Sequence, residues 1–260
     1  MSRKITTFIA IIGYTALLLP LFLLILFSFN ASRSGARWDG FTLDWYARLL
    51  HRPDLMIALR TSLIVAVTST IVATALGTIA ALAMVRHRRR SAAVFESLLV
   101  LPIVTPEVVA GISLLILFSA AGIHLGLVTV IIAHITFSVP FTIMVLLARL
   151  RGMDSSLEEA ALTLGANEFT AFRRVTIPLL MPGIIGAALL AFTLSFDDFV
   201  ITFFTAGPGT STLPLVIYGM VRRTVEPSVN ALSALLVVGT TLLLIVAHRW
   251  LGRDARGGMA

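Results

Sequence analysis

Glu107, Asp197 and Asp198 are carboxylic acids set inside long apolar runs, and His134 is an imidazole in similar surroundings. One acidic side chain at the centre of a membrane-spanning helix costs about 2.5–3.5 kcal/mol to insert, so three of them call for a function. Counted from run starts near Ala93 and Gly183, Glu107 and Asp197 each lie about 14 residues in, roughly 21 Å at 1.5 Å per residue. His134 sits about eight residues from the opposite end of its run and reaches a nearby level. Carboxylates gathered at one depth with few bases to pair with suit the passage of a cation. Phe196, Phe199 and Phe203 accompany the aspartates, and aromatic faces attract ammonium groups. The chemistry expected of Glu107, Asp197, Asp198, Phe196, Phe199 and His134 is therefore a path for a small organic cation. The competing use of the polar residues is hydrogen bonding between helices or to a partner subunit, and that of the phenylalanines is packing. Ser195, Thr202 and Thr205 share the helical stripe of Asp198, which favours Asp198 over Asp197 as the path-facing acid.

The same residues are poorly arranged for catalysis. Neighbours on a helix diverge by about 100°, so Asp197 and Asp198 make a poor proton-sharing dyad. No Gly-x-Ser-x-Gly elbow or His-Glu-x-x-His metal site occurs. Cysteine is absent, which excludes thiol catalysis, disulfides and thiolate metal sites and leaves the redox compartment unreadable. Lys4 is the only lysine, so no Walker A phosphate loop is present and any ATP is hydrolysed by another chain. A non-catalytic chain that binds no cofactor or metal is expected.

A second constellation lies in a polar stretch at about 150–178. Ser155 and Ser156 precede Glu158 and Glu159 by three, a spacing for a capping box at a helix start. The acids sit at the positive end of that helix, Ala160 and Ala161 leave a smooth surface, and Gly165 can take the left-handed turn that ends it. A second short helix is predicted from about Glu168 to Val175, with Arg173 and Arg174 at its negative end, before Pro178 and Pro182 enter the next apolar run.

The elements that must position these groups follow from composition. Of 260 residues, 58% are hydrophobic and 13% charged, and the mean hydropathy is +0.98. That leaves too little polar surface to coat a soluble globule. An all-α polytopic membrane protein is expected, a single domain over 1–260 in the lipid bilayer. Six runs reach the ~20 residues that a crossing needs. They cover about Thr7 to Phe29, Thr61 to Val85, Ala93 to Ser119, Gly126 to Ala148, Gly183 to Thr205 and Val229 to Ala247. The first is too long for a signal-peptide core of about 7–15 residues and reads as an uncleaved anchor. Basic residues cluster at Arg3, Lys4, Arg86 to Arg90, Arg149, Arg151, Arg173, Arg174 and Arg249 to Arg256, which puts both termini in the cytoplasm. The net charge of +7 is thus mainly a topology signal, and no nucleic-acid partner is expected.

In the third run Pro102 and Pro106 predict a kink or break, either for packing or to open carbonyls to a pathway. In the external segment after the first run, Leu43, Tyr46, Leu49 and Leu50 share a helical face. Trp38, Trp45 and Tyr46 suit the headgroup level there, with substrate contact as the other reading.

Glu159-Ala-Ala, three residues, Gly165, nine residues and Val175-Thr-Ile-Pro178 resembles the EAA loop of bacterial ABC-importer permeases, where the ATPase docks. Leu101-Pro-Ile-Val-Thr-Pro-Glu-Val-Val, Gly111-Ile-Ser-Leu-Leu, His134-Ile-Thr-Phe, Leu190-Ala-Phe-Thr-Leu-Ser-Phe-Asp-Asp and Gly207-Pro-Gly resemble the spermidine/putrescine-type permeases, in the smaller-subunit branch. The resemblance implies a type I importer permease fold in the bacterial inner membrane, with Glu158, Glu159, Ala160, Ala161, Gly165 and Pro178 coupling to the ATPase. It also implies partners: an ATP-binding subunit dimer, a second permease that is identical or different, and an extracytoplasmic substrate-binding protein that delivers a polyamine. Glu107 stands where such permeases are expected to carry Asp, so aminophosphonate, opine or ferric-ion cargo on the same scaffold is the alternative. A membrane enzyme or a stand-alone carrier is a more distant one.

Overall fold

The computed structural model describes residues 3–32, 37–86, 90–154, 156–223 and 227–257. Its regular structure is helical, with one isolated bridge between Asn30 and Phe41. The helices are α1 (Arg3–Phe27), α2 (Asp44–Leu50), α3 (Pro53–Arg86), α4 (Arg90–Val104), α5 (Glu107–Ala120) and α6 (Leu127–Arg151). After them come α7 (Ser156–Thr163), α8 (Glu168–Ala171), a π-helical turn (Phe172–Thr176), α9 (Ile177–Phe196), α10 (Val200–Thr205), α11 (Leu213–Arg223) and α12 (Pro227–Gly257). Apolar sequence this long folds as helix because hydrocarbon offers no partner for a free backbone N–H or C=O.

Among the described residues, Ile5–Phe27, Pro53–Arg86, Leu127–Arg151 and Glu168–Phe196 are each long and apolar enough to cross a membrane. Phe95–Val104 and Glu107–Ala120 together make a fifth candidate, bent by 104° at Thr105 and Pro106. The sixth expected span falls in α12, whose described apolar stretch is Pro227–Leu242. The fifth expected span is shifted in register: it begins at Glu168, because the π turn joins α8 to α9 without interruption, and it ends at Phe196.

The chain divides into two compact units. One comprises Met1–Ile57 and Pro214–Val246. In it, Asn30 organises the segment after α1: its side-chain amide donates to the Arg37 carbonyl at 2.6 Å and accepts from the Asp39 N–H at 3.0 Å. Trp45 Nε1 donates to the Asn30 carbonyl at 2.8 Å, and Trp45 is buried with Leu49 one turn on. Of the four residues expected to share a face, Leu49 is buried and Tyr46 partly covered, whereas Leu43 and Leu50 are exposed. The indole N–H thus has an internal acceptor, as a buried Trp usually does.

The other unit comprises Ala58–Leu213 and Ala247–Ala260. Its core joins α3, α6 and α9 through Ala81, Ile143, Leu146, Leu147, Leu180 and Ala187. A second cluster joins α5, α6 and α10 through Phe118, Ala133 and Ile201. Gly207 meets the turn before α6 so closely that a Cβ there would lie 1.8 Å from the Leu125 carbonyl oxygen. Only a residue without a side chain fits that crossing, and the approach seats α10 beside α5 and α6.

Candidate functional site

Two helix breaks in the second unit face each other. Pro106 lacks an N–H and cannot continue α4, so α5 restarts with Glu107 in its first turn. Farther on, α9 stops at Phe196, Asp197 takes a non-helical conformation (φ −97°, ψ 1°), and α10 starts three residues later. Asp197 and Asp198 are therefore not neighbours on a continuous helix, and the helical-stripe argument for Asp198 does not apply. The physical cause of the break is Asp198 itself. Its carboxylate accepts the backbone N–H of Ile201 (3.2 Å) and of Thr202 (2.9 Å) and the Thr202 hydroxyl (2.9 Å), which caps α10 and competes with continued helix.

His134, carried by α6, completes that environment. Its Nε2 lies 3.2 Å from Asp198 Oδ2 and 3.0 Å from the Thr202 hydroxyl, and its Nδ1 lies 2.6 Å from Ser195 Oγ. Ser69 on α3 donates to Ser195 at 2.9 Å. With the proton on Nε2 facing the carboxylate, the donors run in one sense from Ser69 through Ser195 and His134 to Asp198. Every member is buried, and the chain of bonds ties α3, α6, α9 and α10 together at one level. A satisfied buried network of this kind specifies packing. Ser69 carries no signal in the sequence that separates it from other serines in apolar helices.

Because α10 packs on α5, the Glu107 carboxyl comes beside that of Asp198, with Asp197 near enough to add its field. Glu107 is half-buried and Asp197 exposed, and among the described residues neither has an ion-pair partner. Asp198 and His134 lie inside the protein, Glu107 is half-buried beside Asp198, and Asp197 is exposed. Phe196 stacks on Phe192 with ring centres 5.5 Å apart, and Phe199 packs at a tilt against Phe203 at 5.5 Å, one pair on each side of the break. No group of His, Asp and Glu among the described residues has metal-binding geometry.

The polar loop forms a separate structure. In α7 no side chain is buried. Ser155 of the expected capping box lies outside the described residues, whereas the Ser156 N–H donates to Asp154 at 2.9 Å and holds that carboxyl below its ordinary range. The helix ends in a Schellman turn: Ala166 N–H bonds the Ala161 carbonyl, Gly165 N–H bonds that of Leu162, and Gly165 has φ +89°. Asn167 then caps α8 by accepting from the Thr170 N–H at 2.8 Å. Glu159, Ala160 and Gly165 are exposed, Ala161 is partly covered, and Glu158 turns inward toward Arg86 and Thr176. Pro178 sits in the first turn of α9, immediately after the π turn. Arg149 donates to the Leu179 carbonyl at 2.8 Å, and Arg151 pairs with Glu96, which fastens the ends of α6, α9 and α4 around the loop.

Residues 73–257 match a family described as binding-protein-dependent transport system inner membrane component. The spermidine/putrescine transport system permease protein PotC of Escherichia coli (strain K12) is 41% identical over 245 residues, covering 94% of this chain and 92% of that protein. The putrescine transport system permease protein PotI of the same organism is 39% identical over 252 residues, covering 94% and 90%. A bacterial alginate ABC transporter, solved in complex with alginate pentasaccharide-bound periplasmic protein, aligns with a TM-score of 0.70 over 97% of this chain and 93% of that one, at 14% identity, which establishes the shared fold. Broken spans, an exposed Glu-Ala-Ala helix closed by a left-handed glycine, and similarity along nearly the whole chain agree, and the protein belongs to the family of binding-protein-dependent transport system inner membrane components.

Proposed function

We propose that this chain is one of two membrane subunits of an ATP-driven importer whose cargo is a polyamine such as spermidine or putrescine. The observation that carries the reading is the pair of carboxyls, half-buried Glu107 and exposed Asp197, at facing helix breaks and without cationic partners among the described residues. An ammonium about 4 Å from a carboxylate gains ~1 kcal/mol in water and ~4 kcal/mol at an effective dielectric of about 20, so a partly dehydrated path attracts such a cation strongly. A polyamine carries several ammoniums along a flexible apolar chain, which suits separated acids with Phe196 and Phe199 beside them. The names of the relatives at 41% and 39% identity support this class over phosphonate, opine or ferric cargo. Asp198 and His134 serve the path from behind, by holding the break open.

The exposed face of α7, with Glu159, Ala160 and Ala161, is the docking surface for one subunit of an ATPase dimer. Gly165 and Pro178 set the entry into α9, and Glu158 supports the helix from within. The arginine distribution supports a cytoplasmic location for both termini and this loop, in a bacterial inner membrane. The family description, and the related transporter solved with its periplasmic protein, support delivery of the cargo by an extracytoplasmic binding protein. No cofactor is assigned to this chain.

The test is ATP-dependent uptake of labelled putrescine and spermidine by proteoliposomes holding the complete complex. Uptake is expected with either polyamine, and Glu107→Gln should lower it on the order of tenfold. Uptake of neither polyamine, with ATP-dependent uptake of a ferric or phosphonate probe, would overturn the assignment.

A further inference from the structure

A helix of eight residues with no buried side chain is marginal alone, so something other than a hydrophobic face must set the direction of α7. Glu158 supplies it. Its Oε1 accepts from Arg86 Nη2 at 2.9 Å, and its Oε2 accepts from the Thr176 hydroxyl at 2.7 Å. The same guanidinium lies 5.2 Å from the centre of the Phe172 ring. Glu158, in the first turn of α7, thereby joins the last residue of α3 to the last residue of the π turn, while the Arg86 guanidinium reaches its first residue. Thr176 immediately precedes α9, which runs unbroken to the Asp197 break. Glu159, one position on, points away and is exposed.

We propose that Glu158 and Arg86 form a positioning latch that makes α7 move together with the cytoplasmic end of α3 and the start of α9, while Glu159 is left for the ATPase. The proposal rests on the reading of α7 as the ATPase dock. Arg86 and Glu158 keep 49% and 33% of their side-chain surface exposed, and an ion pair that wet adds little to stability. Breaking it should leave the helices folded and remove only the mechanical link. The π turn strengthens the argument: its widened ring is a natural place for a helix to flex, and the latch closes across it.

The test uses the complete complex in nanodiscs, with putrescine and spermidine as cargo probes. Glu158→Gln and Arg86→Gln should each lower the ratio of cargo-stimulated to basal ATP hydrolysis about fivefold, with the ATPase co-purifying at the wild-type ratio. The exchange pair Arg86→Glu with Glu158→Arg should restore the ratio to within about twofold of wild type. The chain has no cysteine, so spin labels on cysteines introduced at the exposed positions Val85 and Leu162 read the latch directly, and Glu158→Gln should broaden their distance distribution. A wild-type stimulation ratio in Glu158→Gln overturns the latch, as does an exchange pair no better than the single variants. Loss of the ATPase from Glu158→Gln overturns it too, because Glu158 would then be a docking contact. The docking reading has its own control: Glu159→Lys should release the ATPase, and retention at the wild-type ratio with full stimulation would sink that reading and the latch with it.

Discussion

Replacing Asp198 with Asn removes one charge from a carboxylate that is 7% exposed and accepts from four donors, three of them at Oδ2 and one at Oδ1. An amide can turn its oxygen to only one of those two positions. With the oxygen toward Thr202 and His134, its NH₂ meets the Ile201 N–H, so one bond to a charged acceptor is lost outright, about 1.5–3 kcal/mol, and the other three weaken as the charge goes. A total near 2–4 kcal/mol follows, which for a chain of this size corresponds to a fall in Tm of roughly 5–10 °C. Asp197 is exposed and makes no such bonds, so Asp197→Asn should stay within about 0.5 kcal/mol of wild type. The assay pairs thermal unfolding of the purified complex with putrescine uptake in proteoliposomes. Asp198→Asn is expected to lower Tm and the yield of assembled complex together, and Asp197→Asn to keep Tm and lose uptake. An unshifted Tm in Asp198→Asn, or a lowered one in Asp197→Asn, would refute the division of labour between the two acids.

Other outcomes are equally specific. Gly207→Ala places a methyl 1.8 Å from the Leu125 carbonyl oxygen, backbone that cannot swing aside, so Tm should fall by an overpacking cost of about 1–3 kcal/mol or more; a wild-type Tm would exclude the close approach. The Asp154 carboxyl, held low by the Ser156 N–H, has a folded pKa below its unfolded one. Its contribution to the start of α7 is present at neutral pH and lost only as pH falls below the ordinary Asp value of about 3.9. Asp154→Ala should therefore speed hydrogen exchange at the start of α7 at pH 7, and unchanged exchange would remove the cap. A reporter active only outside the cytoplasm should be silent when fused after Arg89 and active near Pro208, and the reverse pattern would invert the orientation.

Composition alone determined that the protein is helical and membrane-embedded, because long apolar runs admit no other backbone solution in hydrocarbon. Glu159-Ala-Ala and Gly165 were legible for a similar reason: caps and left-handed turns are set by residues within a few positions of one another. Pro106 announced the first break, since a missing N–H acts locally. The second break was not legible. Asp197 and Asp198 read as helix interior, and only the arrival of His134 from α6 and Ser69 from α3 made it favourable for Asp198 to turn inward and cap α10. The internal partner of Trp45, the Asn30 carbonyl 2.8 Å from its indole nitrogen, was likewise not legible. Which of two adjacent acids is buried, and which of two adjacent glutamates turns inward, depends on groups distant in the chain. Arg86 and Glu158 are 72 positions apart, and their meeting is a property of the packed helices. Hydrogen bonds and ion pairs act over a few ångströms of space, so pattern along the chain reveals them only where sequence neighbours are also neighbours in the fold.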